Sequence, residues 1–230
     1  MSRQSIEKFL RRLKKSPSGA VFNPWWEVDE QNDVGRNAPA IRRQQLRAYL
    51  QKRVGKANVA VIGEAVGYRG GHFSGIPMTS ERLLLGRSKK VCLKSNDFFS
   101  GIKPRRTSKP EKRPHGFAEP TATIVWGTLL RGSLKPDQFV LWNAFPWHSF
   151  DSRRGMLSNR MPNKSERVAG LPVLKAFLEL FSCDQVVALG KIAAAQLEEL
   201  DVNAHCVRHP ASGGAKLFRQ QIAKIVQELS

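Results

Sequence analysis

Residues 58–67 have the sequence NVAVIGEAVG, a short apolar run that passes directly into a glycine-rich loop. A run of this kind is typical of a strand buried on both faces of a parallel sheet. Three similar runs follow at 139–142, 185–189 and 204–207, and helical patterns separate them. Strands that alternate with helices predict an α/β fold, a three-layer α/β/α sandwich with a central four-stranded parallel sheet.

Two helical patterns precede the first strand. The first covers residues 2–15, where apolar residues recur at helical spacing, and the second runs from Pro39 to Arg53. We therefore expect residues 1–57 to form an N-terminal helical region that packs on an α/β domain at 58–230. The later helices are predicted at residues 120–131, 165–182, 190–200 and 214–229.

The chain is strongly basic. Its 230 residues include 38 Lys and Arg against 19 Asp and Glu, a formal net charge of +19, and residues 1–115 alone hold 25 of the basic and 9 of the acidic residues. Counterion release would bind such a surface to nucleic acid with a strong salt dependence. A basic surface that only maintains solubility, or that attracts acidic membranes, is the alternative. No apolar run approaches the ~18–20 residues of a membrane helix, so we expect no membrane partner.

Residues 87–115 concentrate this charge, with ten Lys and Arg, two acidic residues and three prolines. The composition predicts a mobile basic loop inserted before the next helix. We expect it to contact a phosphate backbone through residues such as Lys103, Arg105 and Arg106. The alternative is a solvated insertion without a specific role.

The three cysteines, Cys92, Cys183 and Cys206, are far apart and form no CxxC spacing. This argues against a metal site made of cysteine alone, and the odd number argues against a secreted disulfide framework. The first residues are polar and do not resemble a signal peptide. We therefore predict a reducing, cytoplasmic location, with no metal and no cofactor.

Polar residues follow three of the four predicted strands. In open α/β sheets, ligands bind at the carboxyl ends of parallel strands. Glu64 follows the first strand, Asn143 the second and His209 the fourth, and glycines near the first and last let the backbone approach a ligand. An acid, an amide and a histidine predict a concave site for a planar, hydrogen-bonding ring.

The ordered set of segments resembles the uracil-DNA glycosylase superfamily. Gly63–Gly67 resembles the GEAPG form of the first motif, and Asn143 matches the asparagine after the second strand. Residues 186–191, VVALGK, resemble the family's strand-to-helix step, and residues 209–212, HPAS, resemble the HPS-type second motif. Each motif alone is weak, but the order over roughly 58–229 is specific.

The resemblance implies a fold that holds a flipped nucleotide and hydrolyses its N-glycosidic bond, with DNA as partner and no obligate protein partner. Glu64 would stabilise the oxocarbenium-like sugar or hold water, and His209 would bond the base carbonyl as negative charge builds there. Asn143 would read a pyrimidine edge, and Phe73 would stack on the ring. Further base contacts are expected from Ala65 and His148, and DNA contacts from Arg69, Lys103, Arg105, Arg106, Arg208, Ser212, Gly213, Gly214 and Lys216.

Several positions depart from the family pattern. Ala65 stands where many members carry a water-activating Asp or Asn, and Val66 replaces the usual proline. The four cysteines that ligate an iron–sulfur cluster in the GEAPG branch are missing, so we predict no cluster. Uracil is the default base. A larger hydroxymethylated or glucosylated pyrimidine of phage DNA is an alternative, for which small residues would make room at Gly70, Gly71, Ser74 and Gly75.

Without the resemblance, simpler interpretations compete. The Gly63–Gly67 loop would serve a mononucleotide-binding sheet, Asn143 would close a turn, His209 would cap a helix and Phe73 would be core. A glycosylase fold that binds altered DNA without cutting it is a further alternative. Glu81, at a predicted helix start, is a second-rank catalytic candidate.

Overall fold

The computed structural model describes residues 3–228, which form strands and helices in alternation. The strands are β1 (Val21–Phe22), β2 (Val59–Ala65), β3 (Phe139–Phe145), β4 (His148–Ser149), β5 (Gln185–Leu189) and β6 (His205–Val207). The helices are α1 (Arg3–Arg12), α2 (Ala38–Arg53), α3 (Gly71–Ser74), α4 (Glu81–Leu84), α5 (Ser95–Phe98), α6 (Pro120–Arg131), α7 (Lys164–Leu180), α8 (Lys191–Glu198) and α9 (Ala215–Gln227). The predicted first and last helices extend into residues 2 and 229, which lie outside the described range.

The central sheet has the strand order β3-β2-β5-β6, and all three pairings are parallel. Val61 pairs with Leu141 on one side and with Val187 on the other, so the first strand in sequence order lies inside the sheet. The connections from β2 to β3 and from β3 to β5 run in opposite directions, and right-handed crossovers therefore place α6 and α7 on opposite faces. The predicted α/β sandwich with a four-stranded parallel sheet is confirmed.

Strands β2 and β3 each extend three residues beyond their predicted ends. Gly63 pairs with Asn143, and Ala65 pairs with Phe145. The apolar pattern stops at Ile62 in the sequence, but the two polar segments continue the ladder because each is the other's partner. Asn143 is therefore held within a paired strand and not in a loop.

The N-terminal helices pack on the same core as the sheet. Ile6, Phe9 and Leu10 of α1 are buried, and the Phe9 ring lies edge-on to Trp142 of β3, with ring centroids 5.1 Å apart. Helix α1 contacts both α2 and α7. The apolar stripe predicted from the sequence is thus the buried face of α1. Within residues 3–228, no helix combines the length and the apolar character that crossing a bilayer requires.

A two-stranded antiparallel pair, β1 with β4, has no counterpart among the sequence predictions. Val21 pairs with Ser149 and Phe22 with His148. Each strand is only two residues long, too short for a periodic pattern to be recognised. The pair joins the N-terminal segment to the chain that follows β3.

The basic insertion at 87–115 is anchored, which corrects the expectation of a mobile loop. Phe98 is fully buried, and Arg53 donates hydrogen bonds of 2.9 Å to the carbonyl oxygens of Asp97 and Phe98. The buried Glu81 carboxylate accepts the backbone amides of Thr107, at 2.8 Å, and of Ser108, at 3.0 Å. These partners lie far away in the sequence, so the composition of the segment alone does not reveal them.

Candidate active site

A cavity of about 300 Å³ opens at the carboxyl ends of the central strands, where the topology predicts a ligand site. It is lined by Gly63, Glu64, Ala65, Val66, Gly67, Met78, Glu119, Thr121, Asn143, Asn159, Arg160, Leu189, His209 and Ala211. The structure thus brings four predicted residues together: Glu64, Ala65, Asn143 and His209. They come from β2, β3 and the turn after β6.

Glu64 lies near the end of β2 and is half-buried. Burial raises the pKa of its carboxyl, and the positive charge of Arg167 acts in the opposite direction. A carboxylate at this place carries a negative charge into a partly desolvated cavity, where its field is stronger than in water.

Asn143 is buried and depends on the glycine opposite it. A Cβ at Gly63 would lie 2.6 Å from the Asn143 amide and 3.1 Å from Met78 Sδ, so only glycine lets both side chains approach this closely. In the orientation that satisfies its surroundings, the amide donates to Trp142 O and accepts from Val66 N, each at 3.2 Å. One donor and one acceptor position remain for a ligand.

His209 is half-buried, and its tautomer follows from one contact. The backbone N–H of Ala211 donates to Nδ1 at 3.1 Å, so Nδ1 is an acceptor. Burial lowers the pKa of the imidazole, and the charge of Arg208 lowers it further. The neutral ring therefore carries its proton on Nε2, which is free to donate to a ligand oxygen.

The turn after His209 presents the predicted phosphate-binding residues at the edge of the cavity. Ser212 has φ 51° and Gly213 has φ 78°, which turns the chain sharply into α9. Gly214 is buried against the His209 carbonyl, where a Cβ would overlap the oxygen. Arg208, Ser212, Gly213 and Lys216 are exposed.

The structure does not bring Phe73 to the cavity. Its side chain is fully buried and stacks on Phe117, with ring centroids 4.4 Å apart and planes inclined by 17°. Met78, five residues later, lines the cavity instead. The turn of α3 directs Phe73 into the core because its stacking partner lies there.

His148 also lies outside the cavity lining, in a buried hydrogen-bonded chain. Its Nε2 donates to the Ser158 carbonyl at 2.8 Å, which leaves Nδ1 to accept from His72 Nδ1 at 3.0 Å. His72 Nε2 lies 3.1 Å from Asp29 Oδ2, and the Asp29 carboxylate ends the chain. Burial lowers the pKa of His148 to about 3, which keeps the ring neutral.

The predicted basic contacts outside the turn divide into two groups. Arg69, Lys103 and Arg105 are exposed, and Arg69 Nε donates to the Tyr68 hydroxyl at 2.7 Å. Arg106 is engaged within the insertion, donating to the carbonyl oxygens of Ser108 at 2.7 Å and Pro114 at 2.9 Å. Its guanidinium thus stabilises the insertion. None of these four residues lines the cavity.

Glu81, the second-rank catalytic candidate, has its carboxylate buried among the amides of the insertion and does not line the cavity. The start of α4 was predictable because serine is a preferred N-cap residue. In the structure, Ser80 Oγ accepts a hydrogen bond from Leu83 N at 3.4 Å. The tertiary contact of the carboxylate is not visible in that local pattern.

The expected room for a larger base is occupied by protein atoms. A Cβ at Gly71 would lie 3.2 Å from both Ile76 O and Val66 Cγ1, and one at Gly75 would lie 2.7 Å from the backbone oxygen of Arg42. The Glu119 carboxylate occupies the space beside Gly70, and Ser74 is fully buried. These small residues permit close packing of the first motif and do not widen the cavity.

Sequence reasoning missed several residues that line the site, Met78, Glu119, Asn159 and Arg160 among them. Asn159 Oδ1 accepts the Tyr68 backbone amide at 3.0 Å, and Arg160 makes a bidentate ion pair with Glu166 at 2.6 and 2.7 Å. One signal in the sequence could have indicated Glu119. It precedes Pro120 at the start of a predicted helix, and helices that follow strands begin at the edge of the sheet where the cavity lies.

All three cysteines are free thiols, with Cys92 and Cys206 exposed. Among residues 3–228, no three His, Cys, Asp or Glu side chains are grouped so that they could hold a metal ion.

Comparison with known proteins gives a family and a fold for this chain. The sequence matches the uracil DNA glycosylase superfamily over residues 53–229. The fold is similar to the crystal structure of wild-type Pedobacter heparinus SMUG2, with a TM-score of 0.63 over 98% of this chain and 97% of that chain, at 14% sequence identity. No protein of curated function matches the sequence. The family match covers most of the chain and indicates a DNA glycosylase: the chain belongs to the uracil-DNA glycosylase superfamily.

Proposed function

We propose that this protein flips a uracil or a small modified pyrimidine out of DNA and hydrolyses its N-glycosidic bond, leaving an abasic site. The observation that carries the proposal is the convergence of Glu64, Asn143 and His209 on one cavity from three separate segments. A carboxylate, an amide and a neutral histidine are the groups that this reaction needs at the sugar, the base edge and the base carbonyl.

Base recognition is assigned to Asn143 and Met78. The remaining donor and acceptor of the Asn143 amide match the alternating acceptor and donor of a pyrimidine edge. Met78 packs beside that amide and supplies a polarizable apolar surface for the ring. The occupied space at Gly70, Gly71 and Gly75 favours uracil over a sugar-bearing base.

Bond cleavage is assigned to His209 and Glu64. As the C1′–N1 bond breaks, negative charge grows on the base oxygen, and His209 Nε2–H donates to it without first gaining a proton. The sugar becomes positively charged at the same time, and an ionised Glu64 stabilises it electrostatically. The raised pKa of Glu64 means that this stabilisation weakens as the pH falls.

DNA binding is assigned to the exposed basic residues and the turn before α9. Arg208 and Lys216 are exposed on either side of this turn. The Gly214 amide donates to Ala211 O at 3.1 Å, so the phosphate contact from the beginning of α9 is assigned to the Gly213 amide. Arg69, Lys103 and Arg105 extend the basic surface. The cytoplasmic location predicted from the cysteines and a role in repair or in defence against phage stay predictions.

A base-panel excision assay tests the proposal. Duplex and single-stranded oligonucleotides carrying uracil, 5-hydroxymethyluracil, hydroxymethylcytosine or glucosylated cytosine are incubated with the protein and then treated with alkali. We expect strand cleavage after alkali for uracil or a small analogue. Without alkali the strands should stay intact, since no lysine lines the cavity to form a Schiff base.

Ala65 supports a second candidate function, because no water-activating side chain stands at that place in the cavity. Salt-sensitive DNA binding without excision of any base would favour a glycosylase-fold DNA-binding protein. Tight, salt-insensitive binding of a mononucleotide would favour a nucleotide enzyme instead.

A further inference from the structure

We infer that Glu119 is a further catalytic residue, the general base that takes a proton from the water attacking the sugar. The inference rests on the proposed function and concerns how the bond is cut. Glu119 lines the same cavity as Glu64, Asn143 and His209, although it comes from a different segment, the residue before α6. No motif of the sequence analysis includes it.

The carboxyl group of Glu119 is fixed against the first motif. A Cβ at Gly67 would lie 2.8 Å from Oε1, and a Cβ at Gly70 would overlap the carboxylate. The two glycines therefore create the space that Glu119 fills. Its backbone is extended, with φ −108° and ψ 116°, as expected for a residue that precedes proline.

Neither oxygen of this carboxyl group has a hydrogen-bond partner among the described residues. Glu119 Oε2 is buried and accepts no hydrogen bond from any described residue. Oε2 packs against Gly70, which does not line the cavity, whereas Oε1 lies beside Gly67, which does. Oε1 also has no hydrogen bond to a described residue, so it is the oxygen that a partner arriving with the reaction would meet. Water is the partner that hydrolysis requires, and it supplies the missing donor.

The environment suits a group that changes protonation near neutral pH. Burial raises the pKa of Glu119 to about 7. A general base is most effective when its pKa lies near the working pH. The N-terminus of α6 favours the ionised form, yet desolvation prevails.

Glu119 also lines a second cavity, a groove beside α6. The other charged and titratable groups of the first cavity are Glu64, Arg160 and His209. Those of the groove are Arg82, Arg87, Lys89, Lys90, His115, Arg131 and Arg219.

The proposed step is balanced with one water. The water oxygen forms a bond to C1′ while the C1′–N1 bond breaks, and its electron pair leaves with the base. The proton released by the water passes to Glu119 and then, through solvent, to the base anion. The products are the abasic sugar and the neutral base. Because Ala65 stands in the first motif, that motif has no side chain at this position to activate water. Glu119, which lies outside the motif, is proposed for this role.

The test is single-turnover excision by wild type and by Glu119→Gln over pH 5.5–9. We expect the wild-type rate to rise through about pH 7, because the carboxylate form increases as the pH passes its pKa. Glu119→Gln should be slower by about 10²–10⁴-fold and lack that acid limb. Its affinity for the substrate duplex should stay within a few fold. Glu111→Gln, an exposed carboxylate in the basic insertion, is the matched control with an unchanged rate.

Three results would overturn the inference and leave the proposed function in place. A rate for Glu119→Gln within threefold of wild type would show that the Glu119 carboxylate does not take the proton from water. An acid limb that survives in the variant would belong to Glu64. A wild-type profile that is flat near pH 7 would count against Glu119 even where the variant does not fold. Absence of excision by the wild type on every base would refute the proposed function itself, and the inference with it.

Discussion

His209 is the residue whose tautomer is decided by a single backbone contact. Because Ala211 N–H occupies Nδ1, the Nε2 proton is the one available to the base oxygen in the proposed reaction. His209→Ala should lower the single-turnover excision rate by about 10²–10³-fold, the usual effect of removing one donor to a developing anion. Substrate affinity, measured by fluorescence anisotropy, should change by a few fold only.

A control separates this role from helix capping. His209→Gln keeps a donor of similar reach, so it should recover part of the rate that His209→Ala loses. If both variants retained the wild-type rate but melted at a lower temperature, His209 would be a structural residue of the turn.

Gly63 shows how a residue without a side chain can determine a site. A Cβ there would lie 2.6 Å from the Asn143 amide, so Gly63→Ala must displace Asn143, Met78 or the strand itself. We expect a loss of about 1–3 kcal/mol in the free energy of unfolding from overpacking, with a larger relative loss of excision. Chemical denaturation and the base-panel assay measure the two effects.

Gly35→Ala is the matched control for this substitution. Its nearest contact would be Asn37 Oδ1 at 3.6 Å, an ordinary van der Waals distance. Stability and excision should both remain close to wild type. Equal losses in the two variants would mean that the Asn143 contact is not the cause.

At the scale of elements, the long ladder between β2 and β3 gives the site its rigidity. Through the pairs Gly63 with Asn143 and Ala65 with Phe145, two hydrogen-bonded strands carry this part of the candidate site. Sites built on strands are held more precisely than sites on loops. The His72–His148 chain adds a second support, since it ties α3 to β4 and to the Ser158 loop.

The buried carboxylate of Glu81 anchors residues 107–108 of the basic insertion. Glu81→Ala would leave the amides of Thr107 and Ser108 without an acceptor, at a cost of about 1–3 kcal/mol for each buried donor. We expect faster amide hydrogen exchange at residues 105–108 and a lower melting temperature. Glu111→Ala, an exposed acidic residue in the same insertion, should change neither. Unchanged exchange in Glu81→Ala would contradict the anchoring role.

For the whole molecule, a net charge of +19 makes salt the simplest probe of DNA binding. The logarithm of the affinity should fall steeply and linearly with the logarithm of salt concentration. Arg208→Ala and Lys216→Ala should each reduce that slope by about 1, because each removes one proposed phosphate contact. Fluorescence anisotropy titrations at several salt concentrations give the slope.

Lys56→Ala is the control at the opposite edge of the sheet. Lys56 precedes β2 and pairs with Asp137 at 3.4 Å, far from the carboxyl ends of the strands. Its removal should leave the slope unchanged. Equal reductions from all three variants would show that the charge acts as a general field and that binding is not directed to the cavity.

The strand order along the chain and the α/β class could be predicted from the sequence alone. So could four of the residues that meet at the site: Glu64, Ala65, Asn143 and His209. Apolar runs, glycines and turn residues report local structure, and parallel strands bring their carboxyl ends to one edge. Which of their neighbours face the cavity depends on packing between distant segments. Met78 lines it and Phe73 does not, because Phe117, distant in sequence, packs on Phe73. The anchoring of the insertion and the place of Glu119 have the same origin, since both depend on contacts between segments that no local pattern encodes.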